Sequence, residues 1–204
     1  MSPPSSVRSR ILQEATRLFA ANGVAGTSIQ SIASAAGITR PTLVYHFGSK
    51  AGLRTAVLRK LVDHWRAELP RLLVDAASKG GPRLDSLVDA YFNFFRRDPD
   101  LARLIVREML DRPDELGSML REELLPLTRL ITDAIRLGQQ GGSLRPGAHP
   151  EAFTTLIISA ALSVVALGEH AGCLVAPSPS VDEQQAELMR VARFALLAPR
   201  PQES

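Results

Sequence analysis

Cysteine is almost missing: the 204 residues hold one, Cys173, so no disulfide can close within the chain, and the sequence is expected to sit in a reducing cytoplasm. His170 and Cys173 have the spacing of half a zinc site, but no second pair follows, and neither metal nor cofactor is expected. Aromatics make up only 5% of the chain, yet Tyr91, Phe92, Phe94 and Phe95 fall within five residues. No run alternates apolar and polar residues as a half-buried strand does, so the expected fold class is all-α. No P-loop, GxSxG elbow, HExxH pair or dinucleotide fingerprint is present and the four histidines are scattered, so no enzyme is expected. The N-terminus MSPPSSVRSR has no apolar stretch after its basic residues and does not read as a signal peptide. Residues 152–168 are free of charge, but Thr154, Thr155, Ser159 and Ser163 interrupt a run already shorter than the roughly 20 residues of a membrane span. A buried helix is expected there, and no membrane. Acid is missing too: the first sixty residues hold eight cations and one acid, Glu14. A basic N-terminal quarter on a more acidic body is the footprint of a module that binds a polyanion.

What is present is organised around SIQSIASAAGITRPTLVYHFGSK, residues 28–50. Ile29, Ile32, Ala33 and Ala36 recur at i, i+3, i+4, i+7, one apolar face of a short helix. Gly37 ends it. Thr39 can cap a second helix, Pro41 fits that helix's first turn, and Leu43 and Phe47 fall four residues apart as core. Two short helices around a glycine-containing turn form a helix-turn-helix. Arg40 and Lys50 each fall in the first turn of a helix, where a cation is mildly unfavourable and no acid offsets it. An external phosphate would satisfy both these cations and the bare amides. The N-terminal part of the second helix is the part that meets base edges, so Arg40, Thr42 and Tyr45 are placed there, with Pro41 offering apolar contact only. Thr27 and Ser28 can donate to a phosphate, cap helix two, or do both. Arg8 and Arg10 read either as a basic arm or as solvated charges.

The stretch ATRLFAANG followed by TSIQSIASAAGITRPTLVYHFGSKAGL resembles the DNA-binding domain of TetR-type bacterial transcriptional regulators, from about Arg10 to about Leu58. The resemblance adds Gln30, Thr39 and His46 to the DNA-binding set, His46 reading equally as a packing residue. It also marks a departure: the family's usual tyrosine before the second aromatic is Val44 here, which removes one hydroxyl that touches phosphate. The expected architecture is a three-helix head joined by a long helix to a helical ligand-binding and dimerisation domain. Its boundaries are a disordered arm at 1–7, the head at 8–53, the body at 54–198 and a disordered tail at 199–204.

In the body, helix four is expected over about 49–78, kinked or divided at Pro70. Helix five carries Leu84, Leu87, Val88, Tyr91 and Phe95. Helices six and seven cover about 101–110 and 115–137, the latter bent at Pro126, and IRLGQQGGSLRP resembles the family's turn between its two long ligand-domain helices. Helix eight covers about 150–168, a Pro/Ser linker 173–180, and helix nine about 181–197. Trp65, Tyr91, Phe92, Phe95, Met109, Met119 and Phe153 are candidates to line an apolar ligand pocket, with a plain aromatic core the competing reading. Arg103, Arg107, Glu108 and His64 read either as buried polar anchors of that pocket or as a solvated helix face, the second being the favoured reading. Phe153, Leu156, Ile157, Ala160, Val164, Leu188, Val191 and Ala195 are the expected dimer face. The resemblance implies a homodimer on a palindromic double-stranded operator, released by a small apolar or amphipathic effector. The alternative is a helical small-molecule-binding protein or enzyme without DNA function.

Overall fold

The computed structural model describes residues 6–78 and 92–197, and they are helical nearly throughout. In chain order the helices are α1 (Val7–Gly26), α2 (Ile29–Ala35), α3 (Arg40–Phe47), α4 (Lys50–Ser78), α5 (described over 92–97), α6 (Pro99–Asp111), α7 (Pro113–Gln140), α8 (Pro150–Leu167) and α9 (Val181–Leu196). Among the described residues, the β pairing is an isolated bridge between Leu144 and Leu197.

Local chemistry sets these boundaries. Ser6 caps α1 by accepting from the Ser9 amide, so the last two residues of the expected arm are ordered as a helix start. Gly23 stands at φ 72°, ψ 163°, a conformation essentially restricted to glycine, and the chain then makes one more helical turn to Gly26. Ser28 and Ser31 form a capping box at α2, Thr39 caps α3 with Pro41 in the first turn, and Ser180 and Glu183 form the box at α9. Helix α4 is continuous through Pro70, and α7 is continuous through Pro126. Residues 168–174, expected at the edge of a linker, wind into a 3₁₀ turn after Gly168 ends α8. The expected break at 79–82 and the apolar positions Leu84, Leu87, Val88 and Tyr91 lie outside the described residues.

The chain forms two compact units. The first takes in Met1–Trp65 and Asp98–Leu120, so α6 joins the head, packing on α1. Its core holds Ile11, Ala15, Phe19, Ile32, Ala33, Leu43, Leu53, Leu58 and Ile105, all nearly or fully buried. The second takes in Arg66–Arg97 and Arg121–Ser204, where α8 packs on α9 and Phe92, Phe95, Ala161, Val165 and Ala192 are buried.

Candidate nucleic-acid interface

Helix α3 is anchored on one side and open on the other. Leu43 is fully buried and fixes the helix's rotation, and Phe47 is half-buried beneath the Arg8 guanidinium, whose carbon lies 5.3 Å from the ring centroid. Arg8 thus belongs to the head's own packing. The opposite face carries Arg40, Pro41, Val44, Tyr45 and His46 in solvent, Tyr45 at 86% exposure. The Tyr45 and His46 rings meet edge to face at 5.4 Å, which holds both side chains on this surface. The Thr39 hydroxyl accepts from the Thr42 amide at 3.4 Å and lies 2.9 Å from the Thr42 hydroxyl. Gln30 is exposed on α2, its amide nitrogen 3.5 Å from the Ser34 hydroxyl. The electrostatics favour an anion: α1, α2 and α3 have no acid in their first turns, and Glu14 is held 2.8 Å from Arg17.

Two expected DNA contacts are engaged inside the head. Thr27 is 3% exposed, and its hydroxyl lies within bonding distance of the Leu18 and Gly23 carbonyls, at 3.1 and 2.8 Å. Its position after the kinked end of α1 turns the side chain inward. The half-buried Lys50 donates from Nζ to the carbonyls of Val24 (2.9 Å), Thr27 (3.0 Å) and Ala25 (3.4 Å). Ser28 is exposed while capping α2.

The head also holds charges that the favoured sequence reading placed in solvent. Glu108 is 2% exposed, and Arg54 is buried against it. Arg54 donates to Glu108 through Nε at 2.7 Å and through Nη2, and to Glu115 through Nη1. Burial opposes the Arg54 charge, but the two carboxylates outweigh it and raise its pKa. Arg107 donates to the Ala21 carbonyl at 3.1 Å, taking an orphan acceptor near the end of α1. The periodicity of helix six carried the signal for Glu108: it stands four residues after Leu104, on the helix's buried stripe.

The expected ligand-pocket residues divide between the two units. Trp65 is buried in the first, where Met119 is half-buried and Met109 is exposed; α6 turns Ala102, Leu104, Ile105 and Glu108 inward instead, so Met109 is not a lining residue in this structure. In the second, Phe92 and Phe95 are buried. Phe153 lines an open cleft of about 610 Å³ with Arg145, His149, Leu156 and Ala195. Tyr91 lies outside the described residues. On the expected dimer face Leu156 is 69% exposed, Val191 and Ala195 are exposed, and Phe153, Ile157, Ala160, Val164 and Leu188 are half-buried. Phe194, 71% exposed, was missed, although it lies one turn from Val191 and Arg190. Among the described residues no three His, Cys, Asp or Glu side chains gather as a metal site.

Both the sequence and the fold are matched by known proteins. The family model for bacterial regulatory proteins of the tetR family matches residues 11–57, and that for a tetracyclin repressor-like C-terminal domain matches residues 82–192. The chain belongs to the TetR family. The TetR-family helix-turn-helix is a DNA-binding motif, here α2 and α3. It is 30% identical over 139 residues to the HTH-type transcriptional regulator RutR of Escherichia coli K12, covering 66% of this chain. The match spans 65% of RutR, just under two thirds of its length. The fold is that of the ketosteroid transcriptional regulator KstR2 of Mycobacterium tuberculosis (TM-score 0.73, 20% identity, 97% of this chain and 98% of that one). It is also that of FadR from Bacillus subtilis, solved in complex with stearoyl-CoA (TM-score 0.65, 16% identity, 90% and 96%).

Proposed function

We propose that the protein is a homodimeric, ligand-responsive repressor that binds a palindromic operator. The observation that carries the reading is α3: a helix pinned by Leu43, capped by Thr39, and presenting Arg40, Tyr45 and His46 to solvent on a surface without unpaired acid. Arg40 grips a guanine edge, Thr42 and Pro41 give apolar contact, and Gln30 reads from α2. Tyr45 meets a base edge beside Arg40, and Ser28, Thr39 and His46 meet phosphate and sugar, which set register without carrying sequence information.

Dimerisation rests on α8 and α9. Of α8's 18 residues only Thr154, Ala161, Val165 and Ala166 are buried, and Leu156, Leu167, Val191 and Phe194 leave a broad apolar face in water. A second copy covers that face as a four-helix bundle, and two heads then meet successive major grooves about 34 Å apart. The effector is apolar or amphipathic and enters the body. The stearoyl-CoA held by FadR supports a long acyl ligand as the first to try. Helix α4 spans both compact units and is the element through which the effector repositions the head. A ligand that prefers the non-DNA conformation must itself be bound more weakly by the DNA-bound protein, by the same factor.

The test is fluorescence anisotropy on a labelled inverted-repeat duplex. Binding with two protomers per repeat, reversed by stearoyl-CoA or another amphipathic ligand, is the expected result. Binding that saturates at one protomer, or that no effector class in a broad screen reverses, overturns the dimeric, ligand-released repressor.

A further inference from the structure

We infer that the Thr154 hydroxyl on α8 anchors the effector, and that the part of the effector held in the body is uncharged, an apolar frame carrying an ester or similar neutral oxygen function. The inference rests on the ligand-responsive reading and names the chemistry of its ligand. Thr154 is 7% exposed, and its hydroxyl has no hydrogen-bond partner. A buried hydroxyl in that state has given up water and gained nothing in exchange, so it destabilises the fold that holds it.

Other helical threonines avoid this cost by bonding back to their own helix. The Thr16 hydroxyl donates to the Leu12 carbonyl at 2.8 Å, Thr128 to Leu125 at 3.1 Å and Thr132 to Arg129 at 3.0 Å. The carbonyls of Glu151 and Pro150 stand at the same offsets from Thr154, yet its hydroxyl does not take them. Thr154 belongs to the inward stripe of α8, with Ala161 and Val165 two and three turns on. Among the described residues of the second unit, the other buried side chains leave no polar group to answer it. Phe92, Phe95, Leu124 and Ile135 are apolar, and the Thr132 hydroxyl is already committed. The buried charges of the described chain, Arg54 and Glu108, both belong to the first unit. A carboxylate or phosphate drawn into the second would meet no buried cation among the described residues, and its lost hydration would go uncompensated. A neutral ester oxygen asks for a single donor, and the Thr154 hydroxyl is one.

The test compares full-length wild type, Thr154→Val and Thr154→Ser. The probes are fatty-acid methyl esters from octanoate to stearate, with the matching free acids at neutral pH. Valine keeps the branched shape and removes the hydroxyl, so without ligand Thr154→Val is expected to melt about 3 °C above the wild type. In equilibrium dialysis it is expected to bind the best ester about tenfold more weakly, while Thr154→Ser keeps most of the affinity. The wild type is expected to bind that ester at least about tenfold more tightly than its free acid. Melting of Thr154→Val at or below the wild type, an unchanged ester affinity, or a free acid bound as tightly as its ester overturns the anchor. So does a wild type that binds no ester of the series. Operator release is read separately, by fluorescence anisotropy: an ester that binds through Thr154 without releasing DNA sustains the anchor and removes the repressor reading.

Discussion

Arg54 carries its charge into a nearly dry site of the head, where Glu108 and Glu115 receive it. Such a site is costly to leave half-filled, because the remaining charge stays buried without its partner. Arg54→Met should therefore destabilise the protein by about 3 kcal/mol in urea unfolding, and Arg54→Met with Glu108→Leu should recover a large part of the loss. Glu115 adds a pH dependence. The hydrogen bond from Arg54, with its charge, holds the exposed Glu115 carboxyl below its ordinary value of 4.5. A depressed folded-state pKa gives stability that is present above the unfolded value and lost as pH falls through the folded one. Glu115→Gln should thus lose less stability than the wild type as pH is lowered below 4.5. On the reading surface, Arg40→Ala should relax preference at one base pair per half-site, by about 1–3 kcal/mol in binding to matched and mismatched duplexes. Capping and periodicity say which face a short helix leaves in water, and Arg40 and Tyr45 are exposed on that face. The favoured sequence reading misplaced Glu108 because charge usually means solvent, and only the partner supplied by α4, 54 residues earlier, reverses that rule.

At the scale of the element, the helices were legible wherever a cap or glycine marked their ends. The interruptions were less so. Pro70 read as a kink or a division and Pro126 as a bend; α4 and α7 are undivided there, since proline removes one hydrogen bond and the surrounding turns can hold the helix. Gly23 leaves the helical dihedral angles, but the chain resumes for a turn and presents the carbonyls that Lys50 takes. Gly23→Ala would force a Cβ into that conformation, with the Arg107 guanidinium 3.6 Å away. It should cost about 1–3 kcal/mol in thermal unfolding, with operator affinity falling as the α1–α2 turn shifts. Helix α8 shows the converse limit. Its charge-free sequence predicted burial, and in the single chain most of it is not buried. Periodicity reports that a face needs cover without saying which molecule covers it.

The whole molecule divides its chemistry between units: a basic head with one acid in its first sixty residues, and a body whose α8 and α9 leave apolar surface in water. The division suits a regulator whose DNA affinity depends on pairing two heads. Phe194→Glu on α9 or Leu156→Glu on α8 should give a folded monomer by sedimentation velocity. Its affinity for a single half-site should be unchanged, while its affinity for the full repeat should fall by orders of magnitude, because the second head no longer binds at high effective concentration. The measurement that tests the central claim most directly is selection of the purified protein on a random duplex library at moderate salt. The account predicts enrichment of an inverted repeat whose half-sites are centred about 10 base pairs, or one helical turn, apart. Binding that stays salt-sensitive but enriches no sequence after repeated rounds would contradict it.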